Sequence, residues 1–132
     1  MYLVDTSVWI DAQRRQPGPK GLLLREMAQS GVVLGLAPVI LQEVLQGVRD
    51  ADSFERTRHR LALERCYVPV DPVQTCAAAA LLHARCRWQG FTPRSSNDCM
   101  IAQIALDFDL TLLHDDIDFE AIAKVEPRLR LI

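Results

Sequence analysis

The features this sequence lacks narrow the field first. It contains no C-x-x-C pair among Cys66, Cys76, Cys86 and Cys99, and His59, His83 and His114 do not stand near them at ligand spacing. That argues against a zinc site, and the cysteines are expected to be buried free thiols in a reducing compartment. No apolar run approaches the roughly 18 residues of a membrane span, and acids occupy the N-terminal segment where a secretory leader would carry basic residues. The expectation is a cytoplasmic protein with no membrane partner. Strong positive charge is also missing: a formal net charge of −2 excludes a protein that coats nucleic acid by bulk attraction, so any such contact must come from a local basic patch. There is no internal repeat, low-complexity tract or linker. A single domain over residues 1–132 is therefore expected, with an ordinary globular balance of 49% hydrophobic and 24% charged residues.

What is present begins with MYLVDTSVWID, Met1 to Asp11. Tyr2, Leu3 and Val4 form a short run of strand formers that ends abruptly on Asp5, followed by Thr6 and Ser7. Asp-Thr-Ser is ordinary helix-capping chemistry. From this stretch alone capping is the more common role, but in an open parallel sheet the carboxyl end of a strand is also where ligands bind, so Asp5 is a candidate for chemistry too.

Further along, apolar periodicity and breakers predict helices over 6–13, 20–30, 38 to about 49, 53–65, 73–89, 95–106 and 117–124. Strands are expected at 32–36, 67–70, 110–113 and 129–132. This alternation points to a parallel sheet wrapped by helices, an α/β fold. Gly47 falls inside the predicted third helix, one turn beyond Glu43, where a glycine costs about 1 kcal/mol relative to alanine. Open space beside the Glu43 carboxylate and close helix packing are the two explanations. Arg56, Arg58 and Arg60 stand together on the fourth helix, either as a contact for RNA or a protein partner or as a solvated face.

Four acids hold the chemical interest. Asp5 and Asp116 follow apolar strands, while Glu43 and Asp98 lie on helices that a parallel sheet brings to its carboxyl edge. Each has a structural alternative: Ser95-x-x-Asp98 is a capping-box pattern, and Asp115 or Asp116 can cap the helix that follows. Gathered together, carboxylates repel one another and raise their own pKa values, a conflict that hard divalent cations relieve. Ions held this way activate water and stabilise in-line displacement at phosphorus.

These residues carry a resemblance over nearly the whole chain. VDTSVWID, LQEVLQG, SNDCMIAQIAL and LTLLHDDIDF, in this order and spacing, resemble a PIN-domain ribonuclease, in particular the small stand-alone toxins of VapBC toxin–antitoxin pairs. The resemblance implies a PIN-like α/β/α sandwich with a central, mostly parallel sheet. It implies a catalytic set of Asp5, Glu43, Asp98 and Asp116, with Asp5, Asp98 and Asp116 as metal ligands. Thr6 or Ser7 matches the hydroxyl that supports the first acid, and Asp118 matches a frequent extra acid. Asp115 departs from the pattern, which leaves its exchange with Asp116 open. Also implied are Mg²⁺ or Mn²⁺, cleavage of RNA by metal-activated water, a homodimer, and a VapB-like antitoxin.

Rival readings fit less of the chain. A phosphoacceptor receiver needs an acidic pair after the first strand and a late lysine, whereas the only lysines are Lys20 and Lys124. A haloacid-dehalogenase-type phosphatase needs an aspartate where Ser7 stands. A catalytically silent RNA- or protein-binding module would have little use for four acids.

Overall fold

The computed structural model describes residues 1–132, and its centre is a five-stranded sheet in which every pairing is parallel. The strands are β1 (Tyr2–Val4), β2 (Leu34–Leu36), β3 (Arg65–Cys66), β4 (Thr111–Leu113) and β5 (Arg130–Leu131), in spatial order β3-β2-β1-β4-β5. The inner strands are short apolar runs, and Leu3, Val4, Leu36, Leu112 and Leu113 are almost fully buried, as a sheet covered on both faces requires. Both edge strands are two residues long and carry an arginine, Arg65 or Arg130, which discourages further pairing.

Seven helices cover the sheet: α1 (Thr6–Gln13), α2 (Pro19–Gln29), α3 (Pro38–Gln46), α4 (Ala51–Leu61), α5 (Pro72–Trp88), α6 (Ser96–Asp107) and α7 (Ile117–Val125). Proline opens α2, α3 and α5, at positions where the missing N–H costs nothing. Asp5, Asp50, Asp71, Ser95 and Asp116 each cap the helix that follows them. Asp11 is buried for a purely structural reason: its carboxylate accepts from the backbone N–H of Gly18 and Gly21 and so fastens the start of α2 to α1.

The structure departs from the sequence expectations in four places, the first being the helix expected over 53–65, which ends at Leu61 so that Arg65 falls in β3. The strand expected at 67–70 is found at Arg65–Cys66; Tyr67 beyond it donates its backbone N–H to the Leu36 carbonyl at 2.8 Å and packs its ring on Phe108, with ring centroids 5.3 Å apart. A Cβ on Gly35 would come within 2.3 Å of the Tyr67 ring, so β2 needs glycine there. The third helix stops at Gln46 and Gly47 is its C-cap, so the cost assigned to an interior glycine does not arise. Nor do all four cysteines pack inside: Cys86 and Cys99 are buried, but Cys66 and Cys76 are exposed. No helix is long and apolar enough to cross a membrane.

Candidate active site

The sheet order places the site. From the central strand β1 the chain crosses to β2 on one side, and β4 joins on the other, so the carboxyl ends of β1 and β4 flank the switch point where an open α/β sheet leaves a crevice. Val4 pairs with Leu113, and Asp5 donates its backbone N–H to the Leu113 carbonyl at 2.9 Å. Asp5 follows β1 directly, and Asp116 caps α7 just beyond β4. Helix α3 brings Glu43 and α6 brings Asp98 to the same edge, since α3 packs against both α1 and α6.

Asp5, Glu43, Asp116 and Asp118 all lie near enough to Asp98 to act on its charge. Burial pushes the Asp98 carboxyl up to about 7, and the surrounding charges of Asp116, Asp5, Asp118 and Glu43 push in the same direction. No protein group donates a hydrogen bond to its carboxylate. The capping box does not close either: the Ser95 hydroxyl accepts from the Asn97 N–H, and Asp98 supplies no cap. Asp5 is 5% exposed and is also raised, chiefly by burial, with the hydrogen bonds from Ser7 opposing the shift.

The two hydroxyls divide their work. Ser7 donates from both Oγ, at 2.5 Å, and its backbone N–H, at 3.1 Å, to Oδ2 of Asp5. Thr6 instead donates Oγ1 to Oε2 of Glu43 at 2.5 Å, while Asn97 donates Nδ2 to the other oxygen, Oε1, at 2.8 Å. Glu43 is thus fixed from both sides.

Two groups at the site went unrecognised in the sequence. Asn97 is one; the other is Arg94, in the loop before α6. Its Nε and backbone N–H both donate to Oδ2 of buried Asp118, at 3.0 and 2.9 Å, and its Nη2 donates to Oδ1 of Asp116. Arg94 is therefore a cation built into the acidic edge, and Asp118 is held by it. Asp115 is exposed, and of this pair it is Asp116 whose charge acts on Asp98. Arg56, Arg58 and Arg60 stand on α4, which carries none of these acids.

A hard divalent cation suits this donor set, which is all oxygen and includes a carboxylate with no protein donor, raised by four like charges. The carboxylates do not already converge, since nowhere do three or more His, Cys, Asp or Glu side chains stand close enough to share one ion. Each neighbour of Asp98 is instead drawn to its own partner: Asp5 to Ser7, Glu43 to Thr6 and Asn97, and Asp116 to Arg94.

Residues 2–125 match the family described as the PIN domain. The chain belongs to the PIN domain family. Two curated relatives, "VapC ribonuclease Mb1587" of Mycobacterium bovis and "Ribonuclease VapC11" of Mycobacterium tuberculosis, are each 31% identical to it over 126 residues, covering 95% of this chain and 93% of theirs. Among solved structures, the VapBC-1 complex of nontypeable Haemophilus influenzae is similar at TM-score 0.74 and 20% identity, covering 99% of this chain and 96% of that one. The VapBC2 complex of Rickettsia felis, bound to a promoter DNA fragment, is similar at TM-score 0.72 with the same identity and coverage. At that identity the likeness speaks for the fold, and it agrees with the PIN-like α/β/α sandwich expected from the sequence.

Proposed function

We propose that this PIN domain, residues 1–132, is a metal-dependent endoribonuclease, the toxin of a type II toxin–antitoxin pair, which hydrolyses RNA phosphodiester bonds. The observation that carries this reading is the Asp98 carboxylate, which accepts no hydrogen bond from the protein and lies within reach of the charges of Asp116, Asp5, Asp118 and Glu43. Asp5, Asp98 and Asp116 are the residues that would hold Mg²⁺, or Mn²⁺ in its place. An ion held there would supply neutralising charge and make a water nucleophilic near neutral pH.

The remaining steps belong to the chain. Glu43, fixed by Thr6 and Asn97, orients the attacking water. Ser7 keeps the Asp5 carboxylate turned to the site. Arg94 holds Asp116 and Asp118 and takes part of their charge, so fewer uncompensated carboxylates face the incoming phosphate.

A VapB-like antitoxin is the expected partner, as in the toxin–antitoxin complexes whose structures this chain resembles. The reading also includes a homodimer, for which Val73, Leu81 and Trp88 on α5 offer an exposed apolar surface. The test is direct. The purified chain cleaves single-stranded or loop RNA only with Mg²⁺ or Mn²⁺, and Asp5→Asn abolishes cleavage while its circular dichroism is unchanged. Undiminished cleavage in excess chelator would refute the proposal.

A further inference from the structure

The two helices that carry Thr6 and Glu43, α1 and α3, also contribute to a basic groove. A depression of about 440 Å³ opens where the C-terminal ends of α1 and α3 meet the start of α4, with Arg14, Arg49 and Asp50 on its walls. A second, of about 350 Å³, continues along α4 past Arg56 and Arg60. The two share Gln13, Ser53 and Thr57, so they form one continuous channel.

Its charge is unusually free. Arg49, Arg56 and Arg60 form no ion pair, whereas Arg58 is committed to Glu55 at 2.9 Å. Arg56 makes one hydrogen bond, to the Ser53 hydroxyl. Asp50, the lone carboxylate on the walls, has both oxygens taken by the N–H and hydroxyl of Ser53.

The channel also starts beside the acids. Val44 and Gly47, at its near end, lie within one turn of Glu43 along α3. Helix α1 runs from Thr6, which bonds Glu43, to Gln13 in the channel wall, about 10 Å at 1.5 Å per residue.

We propose that this channel carries the RNA strand adjoining the scissile bond, with Arg49, Arg56 and Arg60 as its phosphate contacts. The inference rests on the ribonuclease reading and names where that substrate lies. Unpaired guanidiniums on one groove suit a repeating anion. Hydroxyl and amide side chains between them suit ribose and phosphate oxygens. With no aromatic side chain in its lining, the channel offers no stacking platform, so affinity there depends on phosphate contacts and falls steeply with salt. A docked peptide helix would favour a different place, the neighbouring depression walled by Trp9, Leu24, Leu34 and Leu61.

The test measures binding of a fluorescent single-stranded RNA in chelator across a salt series, alongside cleavage with Mg²⁺. The triple variant Arg49→Gln, Arg56→Gln, Arg60→Gln is compared with Arg58→Gln, and thermal unfolding confirms that both fold. The triple variant binds roughly tenfold or more weakly at low salt, and its plot of log K against log salt is shallower by about 2. Arg58→Gln keeps the parent slope.

Active parent enzyme with an unchanged slope in the triple variant overturns the channel assignment and leaves the ribonuclease reading standing. A parent that neither binds nor cleaves RNA overturns both. An unchanged RNA slope together with lost affinity for polyglutamate assigns the channel to an acidic protein partner, which also overturns the proposal.

Discussion

Arg94 is anchored on Asp118: its Nε lies 3.0 Å from the Asp118 carboxylate, which is buried, while the arginine itself is 69% exposed along its side chain. From that anchor the guanidinium reaches on to Asp116. One side chain thus spans the N-cap acid of α7 and Asp118 in its first turn, and ties them to the loop that leads into α6.

Removing this bridge leaves a buried carboxylate with a single backbone donor and returns full repulsion to the cluster. Loss of one partner from a fully buried pair costs about 3–5 kcal/mol, and an exposed pair is worth at most about 1. Asp118 is buried while Arg94 is exposed, so solvent screening weakens the pair and Arg94→Ala is expected to lower stability by a measurable but modest amount. Arg94→Lys recovers less than half of that, because one ammonium cannot span both carboxylates. Urea unfolding in chelator reads the effect, and an alanine variant as stable as the parent would show that the bridge contributes nothing.

Thr6 and Glu43, 37 residues apart, meet at 2.5 Å. If Glu43 must be held to orient water, Thr6→Val removes a donor with little change of shape, while Thr6→Ser keeps it. The valine variant is expected to lose about 10–100-fold in cleavage rate, the usual range for a partner that orients a site carboxylate or ligand. The serine variant stays near the parent. Single-turnover cleavage with Mg²⁺ distinguishes them, and equal rates for valine and serine would remove Thr6 from the machinery.

The acids at the sheet end were legible because their chemistry is local. An apolar run that stops on a carboxylate marks Asp5 without any knowledge of the tertiary fold, the run before His114 narrows the second acid to Asp115 or Asp116, and the strand–helix alternation led to the parallel sheet. The split between Thr6 and Ser7 was not legible, since it depends on where α3 crosses α1. Arg94 and Asn97 escaped for the same reason: their partners lie 22 to 54 residues away, and neither stands out in TPRSSND. The cysteines failed differently. Alanine-rich α5 has almost no polar–apolar contrast, so nothing in its periodicity says that Cys76 faces out and Cys86 in.

Two buried-site carboxyls give stability opposite dependences on pH. Glu126 is held down to about 2, first by the Arg128 hydrogen bond and then also by Arg85, although its own burial opposes this. Its contribution is present above its ordinary 4.5 and is lost as pH falls toward 2. Asp98 is raised to about 7 from 3.8, first by burial, so its contribution is present below 3.8 and is lost as pH rises toward 7. Metal-free stability should therefore fall across that upper window. Asp98→Asn flattens this fall and leaves the acid limb of Glu126 intact. Urea unfolding at a series of pH values checks both, and an equally steep fall in the asparagine variant would contradict the assignment.

Asp98 also decides between structural and ionic roles by the sign of a second measurement. A carboxylate that merely completed a first-turn cap would, on replacement by alanine, cost about 0.5–1 kcal/mol in any buffer. Ser95 already caps α6 through the Asn97 N–H, and the Asp98 carboxylate takes no part. Removing it relieves like-charge repulsion from Asp116, Asp5, Asp118 and Glu43. Asp98→Ala is therefore expected to unfold in chelator at the same temperature as the parent or higher. Adding Mg²⁺ should stabilise the parent by mass action, since an ion that binds only the folded chain shifts the folding equilibrium toward it. The variant, short of one oxygen ligand, should gain much less. Thermal unfolding of both proteins near neutral pH, with and without Mg²⁺, supplies the four midpoints. An equal Mg²⁺-induced shift in parent and variant would remove Asp98 from the metal-binding set, whatever its effect on stability in chelator.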